Sequence, residues 1–237
     1  MYNTRLNPTA NGPLHIGHLY MALVNQAEAH ASGGKFVVRM EDNQPEWVWR
    51  LGIKQIGYYC ISARQDLEWC GVLADEWIVQ SEIECKVADT MQFLPGELRG
   101  EHKFMFRPVE APRSPIHHYP YAPYLTAEKV VMDMMSGVNL LIRGYDLISE
   151  HCLYLHFCDL FGLQFPRMVY LPRLCLPGGE DVQPDVSKTI GNYKIEDFYR
   201  RGCSAVELLD LLSISCLLDP SKPWLIDNVK AKPIWIG

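Results

Sequence analysis

Alternating blocks of hydrophobic and polar residues open the chain with the pattern of a β-α-β unit. Residues 4–6 are typical of a short strand, and an Asn-Pro pair ends it. Apolar side chains spaced by four predict a helix over 17–31, which a Ser-Gly-Gly segment at 32–34 terminates. The apolar run 36–40 predicts a strand covered on both faces. The opening therefore predicts an α/β fold built on a doubly wound parallel sheet.

A proline-rich stretch interrupts this pattern before it resumes. Six prolines between residues 95 and 124 forbid long regular elements, so we expect an inserted lobe or extended loop there. From residue 219, breakers and two tryptophans predict an extended tail. Periodicity predicts further helices over 49–70, 81–93, 130–135, 146–161, 195–201 and 205–218, and further strands over 139–142 and 168–171.

Composition narrows the class of protein. The chain has 22 Lys+Arg and 28 Asp+Glu, a net charge of −6, which argues against a protein that grips nucleic acid through a large basic face. Its first residues lack an apolar core segment, and no later apolar run is long enough to span a bilayer. The eight cysteines include no CxxC pair. We expect a cytoplasmic, monomeric protein with reduced thiols, no membrane contact and no bound zinc.

The sharpest chemical signal is the tetrapeptide His15-Ile16-Gly17-His18, which follows a predicted strand and opens a predicted helix. Histidines three apart lie on one helical face. The free N–H groups and positive potential of a helix N-terminus bind phosphate readily. Imidazoles can donate hydrogen bonds to charge that develops on a transferring phosphate, and Gly17 leaves room for a nucleotide against the backbone.

Ordered matches elsewhere in the chain give this tetrapeptide a family context. An R-x-x-P segment at 5–8 leads into the HIGH-type tetrapeptide, and the next strand ends in Arg39-Met40-Glu41-Asp42. In this order the motifs resemble class I aminoacyl-tRNA synthetases of the glutamyl/glutaminyl branch. Further resemblances lie at 66–71 (DLEWCG), 75–76 (DE), 80–82 (QSE), 138–146 (VNLLIRGYD), 186–189 (VSKT, similar to the KMSKS loop) and 195–202.

The resemblance implies a Rossmann-type catalytic domain at 1–81 and 125–218. Composition gives the extended tail at 219–237, and the resemblance further implies a reduced acceptor-type insertion at 82–124 and no anticodon-binding domain. Truncated members such as the glutamyl-queuosine tRNA(Asp) synthetases share this last feature. They usually carry zinc cysteines in the lobe, where this chain has only Cys85.

The resemblance also implies roles for individual residues, ATP and Mg²⁺ as cofactors, and L-glutamate as substrate. The two guanidiniums of Arg5 and Arg143 suit a side-chain carboxylate. Arg143 favours glutamate over glutamine, because the glutaminyl group has no arginine at that position. The implied amino-acid-binding residues are Arg5, Thr9, Glu41, Tyr124 and Arg143, the ATP-binding residues are His15, Gly17, His18, Ser187 and Lys188, and the catalytic residues are His15, His18 and Lys188.

The sequence is compatible with three activities. The first is activation of L-glutamate to glutamyl-adenylate and transfer to a tRNA or tRNA nucleoside, with contacts confined to the acceptor arm or a single loop. The second is an adenylating ligase with a non-tRNA acceptor. The third is a non-catalytic remnant that binds nucleotide or amino acid.

The KMSKS-like segment departs from the family pattern at Asp185, which replaces the first lysine of the motif. The Lys188 charge matters most as pyrophosphate leaves, so Lys188→Ala should reduce adenylate formation more than ATP binding. Asp185→Lys should speed activation and lower the Mg²⁺ requirement. ATP–pyrophosphate exchange and nucleotide titration measure both effects, and an unchanged exchange rate in Lys188→Ala would contradict a catalytic role for the segment.

Overall fold

Parallel strands carry the fold of this computed structural model. The described residues are 1–91, 122–171, 174–175, 193–211 and 234–235. Strands β1 (Thr4–Leu6), β2 (Phe36–Met40) and β3 (Glu76–Val79) pair in parallel in the order β1-β2-β3. Strand β4 (Leu140–Gly144) pairs in parallel with β5 (Arg167–Leu171). A short parallel pair joins β6 (Leu174–Cys175) to β7 (Ile234–Trp235).

The two larger sheets meet along β1 and β4. The Asn3 carbonyl accepts hydrogen bonds from the N–H groups of Asn139 and Leu140, at 3.1 and 3.2 Å. These contacts bring β4 beside β1 and give the order β3-β2-β1-β4-β5. This is the strand order of a doubly wound nucleotide-binding sheet, and it confirms the predicted fold class.

Helices cover both faces of this sheet. They are α1 (Ile16–Ala31), α2 (Pro45–Leu51), α3 (Ile53–Trp69), α4 (Gln80–Met91), α5 (Ala122–Met135), a 3-10 helix (Tyr145–Glu150), α6 (His151–Leu160), α7 (Ile195–Arg200) and α8 (Ala205–Leu211). Alternate residues of β4 divide between two apolar clusters, because successive strand side chains point to opposite faces. Leu140 and Ile142 pack with α1 and α3, whereas Leu141 packs with α4, α5 and α6.

The structure confirms most predicted elements and corrects several boundaries. The helix predicted over 49–70 is two helices, because Gly52 has φ +76°, a conformation that breaks the α-helix. The helix predicted over 130–135 already begins at Ala122, and the first turns of the one predicted over 146–161 are 3-10. Strand β3 was not predicted.

Some predictions concern regions that the structure does not describe. The predicted insertion at 82–124 lies outside the described residues except for 82–91 and 122–124. Val87 of α4 packs in the same apolar cluster as Ala127 and Val130 of α5. The domain boundaries given above therefore stay predictions, while residues as far as Met91 belong to an element that packs against the body of the fold.

A buried cluster around Asp133 links strands β1 and β2 to helices α5 and α6. The Asp133 carboxylate on α5 accepts hydrogen bonds from Arg5 Nε and Nη2 on β1, at 2.8 and 3.1 Å. Arg39 Nη1 on β2 lies 2.9 Å from the same carboxylate, and Tyr154 Oη on α6 donates to it at 2.8 Å. Burial alone would raise the pKa of Asp133, but the charges of Arg5 and Arg39 lower it to about 2.

Asp133→Asn should lower the free energy of unfolding by about 3–5 kcal/mol, because it leaves two buried guanidiniums without a counter-charge. Since the folded-state pKa lies below the ordinary 3.8, the contribution of Asp133 is complete above about pH 4 and is lost as the pH falls toward 2. Urea denaturation at pH 7 and pH 3 measures both effects. Asp159→Asn on the exposed surface of α6 is the matched control, and an equally small loss in both variants would contradict the assignment.

Candidate active site

The N-terminus of α1 is closed by its own two histidines. His15 is the N-cap residue, and its Nδ1 accepts a hydrogen bond from the Gly17 N–H at 3.0 Å. The His18 Nδ1 accepts from the His15 N–H at 3.2 Å, which completes a reciprocal capping box. The two rings lie 4.0 Å apart between centroids and are both half-buried.

This arrangement fixes the tautomer of each neutral ring. A neutral ring that accepts a hydrogen bond at Nδ1 carries its proton on Nε2, so each of the two rings is an Nε2–H donor. Two such donors beside a helix N-terminus suit a phosphate whose negative charge increases during a reaction. The sequence predicted the histidines for this role; the tautomer follows only from the structure.

Gly17 is required by the close approach of the His15 ring. A Cβ at position 17 would lie 2.8 Å from His15 Cε1 and 2.9 Å from Nδ1, closer than van der Waals contact allows. Any larger residue would therefore push the His15 ring out of its capping position. The predicted role of Gly17 in leaving room for a nucleotide stays a prediction.

The segment after the KMSKS-like region is fastened to this helix start. Ile16 donates its N–H to the Tyr193 carbonyl, and Ile195 donates to the Leu14 carbonyl, both at 3.0 Å. His15 and Lys194 form the antiparallel bridge between these bonds. Ser187, Lys188 and Asp185 lie outside the described residues, but the chain that follows them is held beside the two histidines.

Thr9 and Glu41 meet where strands β1 and β2 end. The two residues form a parallel backbone bridge, and Thr9 Oγ1 donates to Glu41 Oε2 at 2.6 Å. Lys129 Nζ on α5 lies 3.5 Å from the other oxygen, Oε1. Burial alone would raise the pKa of the Glu41 carboxyl, but Lys129 and Thr9 lower it, so Glu41 is a carboxylate at neutral pH.

Arg143 lies at the carboxyl end of β4, and its guanidinium is only partly used by the protein. The residue is 4% exposed, and its Nη2 donates to Glu150 Oε2 at 2.6 Å. Its Nε and Nη1 are buried without a hydrogen-bond partner among the described residues. Buried donors of this kind are rare in folded proteins, so Arg143 has the capacity to bind an acceptor from a ligand.

Arg5, by contrast, is already engaged by the protein. Asp133 takes its Nε and Nη2, so a ligand carboxylate could not bind those two nitrogens as a bidentate pair without displacing Asp133. The predicted contact of Arg5 with a substrate side chain stays a prediction. Tyr124 belongs to the first turn of α5, and its side chain is not among those the structure describes.

Two charged residues at this site were missed in the sequence, Lys129 and Asp133. Both lie on α5, and they contact residues that precede them by 88 and 128 positions, which periodicity cannot relate. One signal was available for Asp133, because an acid within the apolar run 130–135 must be paired when it is buried.

Within the described part of the chain no group of three His, Cys, Asp or Glu side chains is arranged to hold a metal ion. No helix in the same ranges has the length and apolar character needed to cross a bilayer.

Comparison with known proteins relates this fold to known structures. The described strand order is that of the class I synthetase fold. The chain superposes over its full length on 67% of the crystal structure of a glutamate tRNA ligase from Elizabethkingia meningosepticum in complex with its amino acid, with a TM-score of 0.62 and 14% identity. At that identity the likeness establishes the fold alone.

Sequence comparison identifies the branch. Residues 1–94 match the family "tRNA synthetases class I (E and Q), catalytic domain". The chain is 35% identical to glutamate–tRNA ligase 1 of Ruegeria pomeroyi, over 93% of this chain and 62% of the relative. It is 24% identical to the glutamyl-Q tRNA(Asp) synthetase of Shewanella oneidensis, over 75% of this chain and 74% of the relative. The chain is therefore a relative of the class I synthetase catalytic domains of the glutamyl/glutaminyl branch.

The overlap with other relatives is short. Several glutamate–tRNA ligases match over 78 residues only, and the chain then spans 13% of their length. The resemblance predicted from the ordered motifs is confirmed.

A buried carboxyl group lies close to Glu196 of helix α7. Asp66 of α3 is fully buried, and burial together with the charge of Glu196 on α7 raises its pKa to about 7. Glu196 is itself paired with Arg200 at 2.9 Å. Below about pH 7 the Asp66 carboxyl is therefore protonated and does not repel Glu196.

Asp66→Asn should make the protein more stable than the parent at pH 8, with a smaller difference at pH 5. The unfolded state loses this proton near pH 3.8 and the folded state near pH 7, so the parent loses stability as the pH rises between these values. The slope is at most about 1.4 kcal/mol per pH unit. Urea denaturation at both pH values measures it, and a destabilisation of the variant that is equal at pH 5 and pH 8 would refute the assignment.

Proposed function

We propose that the protein activates L-glutamate with ATP, forms glutamyl-adenylate and pyrophosphate, and transfers the glutamyl group to a tRNA or tRNA nucleoside. The observation that carries this proposal is the buried guanidinium of Arg143, which has two nitrogens without a partner among the described residues. The side-chain carboxylate of a substrate would accept hydrogen bonds from these nitrogens. The similarity to glutamate–tRNA ligases supports the same substrate class.

Charge balance favours an anionic substrate. Arg5, Arg39 and Asp133 form a buried cluster with two positive charges and one negative, a net of +1. Glu41 and Lys129 add nothing to this sum, since they neutralise each other. L-glutamate, with one net negative charge, is attracted to such a site more than neutral L-glutamine is.

In the proposed reaction each group has one task. The α-ammonium of glutamate binds Glu41, and its side-chain carboxylate binds Arg143. An oxygen of the α-carboxylate attacks the α-phosphorus of ATP, the new C–O–P linkage forms, and the bond from that phosphorus to the bridging oxygen of pyrophosphate breaks. The Nε2–H groups of His15 and His18 donate to the phosphate oxygens as their charge increases. Lys188 neutralises the departing pyrophosphate.

Mg²⁺ would enter this site with ATP. The described ranges contain no group of three side chains arranged to hold a metal ion. Mg²⁺ commonly keeps most of its ligands as water and substrate phosphate oxygens, so this absence is compatible with the proposal. When bound, the ion would neutralise triphosphate charge.

A second candidate, a ligand-binding protein without turnover, is favoured by one observation. Glu41 already has the ammonium of Lys129 beside it, where the proposed substrate would place its own. ATP–pyrophosphate exchange with each amino acid separates the two candidates. Exchange that depends on glutamate supports the ligase, and binding without exchange supports the second candidate. Charging of tRNA then distinguishes a tRNA acceptor from another one.

Arg143→Ala should lower kcat/KM for glutamate in pyrophosphate exchange by roughly 10- to 100-fold, because a charged hydrogen-bonded contact contributes about 1.5–3 kcal/mol. Any activation of glutamine should fall much less. Glu150→Gln is the matched control, since it removes the same ion pair but keeps the guanidinium. Equal activation of glutamate and glutamine by the parent protein would refute the assignment.

A further inference from the structure

Lys129 stands beside the carboxylate that is proposed to receive the substrate's α-ammonium. Its Nζ lies 3.5 Å from Glu41 Oε1, on an otherwise buried carboxylate that is 2% exposed. The second oxygen, Oε2, is bound by Thr9 at 2.6 Å. Chemically, the ammonium of a lysine and the α-ammonium of an amino acid are equivalent partners for a carboxylate.

The contact between Lys129 and Glu41 is an ion pair without a close hydrogen bond. Oε1 of Glu41 is buried and makes no hydrogen bond within the described residues, because 3.5 Å exceeds the usual N–H···O distance. The Lys129 side chain is 18% exposed and ends a flexible stem, so its ammonium has a path to solvent. These features describe a counter-ion that neutralises Glu41 and leaves one acceptor open.

We propose that Lys129 is a displaceable internal counter-ion of Glu41 that sets how strongly the site selects ligands bearing an α-ammonium. This inference rests on the proposed function. When glutamate binds, its α-ammonium replaces Lys129 at Oε1. The gain in binding free energy is then only the difference between two similar ion pairs. When a dicarboxylate without an amine binds, Lys129 remains in place and Glu41 stays neutralised.

The consequence is a weak preference for the amine in the parent protein. Without Lys129, Glu41 would be a buried carboxylate that keeps the Thr9 hydrogen bond but lacks its salt-bridge partner, so it would repel a dicarboxylate and pair strongly with an ammonium. Removal of the lysine should therefore change the selectivity between glutamate and glutarate, which has the same two carboxylates and no amine. A lysine with a merely structural role would alter the affinity for both ligands alike.

The test is calorimetric binding of L-glutamate and glutarate to the parent, Lys129→Met and Lys129→Arg. The ratio of the glutarate Kd to the glutamate Kd should rise about tenfold or more in Lys129→Met. It should stay near the parent value in Lys129→Arg, which keeps the charge. Lys54→Met on the exposed surface of α3 is the matched control and should leave the ratio unchanged.

A measurement on the parent protein covers the case in which Lys129→Met does not fold. Acetylation of Lys129 by acetic anhydride, followed by mass spectrometry, should accelerate several-fold with saturating L-glutamate and should not accelerate with glutarate. An unchanged Kd ratio in a folded Lys129→Met variant, or equal acetylation with both ligands, would overturn the role of Lys129 and leave the proposed function intact. Failure of parent and variants to bind either ligand would overturn the proposed function and the inference with it.

Discussion

The carboxylate of Asp133 is the interaction on which the rest of the structure depends. It joins Arg5 of β1, Arg39 of β2 and Tyr154 of α6 to helix α5, so that four elements share one buried charge. Two guanidiniums cannot be buried in an apolar layer without a counter-charge, because desolvation costs several kcal/mol per ion. Only a packing that brings α5 onto the first two strands supplies it. The cluster thus fixes where α5 lies, and α5 in turn carries Lys129 toward Glu41.

Each strand end at the candidate site has a partner within the protein. Glu41 faces Lys129 and Thr9, Arg143 faces Glu150, and Arg5 is bound by Asp133. A substrate that binds here exchanges one partner for another, so affinity is a difference between ion pairs and is smaller than the energy of a single pair. Selectivity depends on the groups whose partners are incomplete, which are the two free nitrogens of Arg143 and one oxygen of Glu41 within the described residues.

The sequence predicted those parts of the fold that local pattern determines. Strands β1, β2, β4 and β5 and helix α1 followed from apolar runs and caps, and the capping histidines followed from a motif. Strand β3 was missed because its four residues start with an exposed Glu76 and include only partly buried positions, so it lacks the apolar signature of a central strand. Lys129 and Asp133 were missed for a different reason. Their roles arise from contacts between distant elements, and only the packing of α5 creates them.

The backbone at His15 joins the start of α1 to the chain that follows the KMSKS-like segment. The residue caps α1 with its ring and pairs with Lys194 through its main chain, so the donors proposed for phosphate and the chain that follows the KMSKS-like segment share one anchor. Helix α7 begins directly after this anchor, and its Glu196 lies near the buried carboxyl of Asp66. Loss of the Asp66 proton would place two carboxylates against each other under α7, and the resulting repulsion would act on the anchor itself. The proposed phosphate side is therefore linked to the Asp66 carboxyl through α7, just as the proposed amino-acid side is linked to Asp133 through α5.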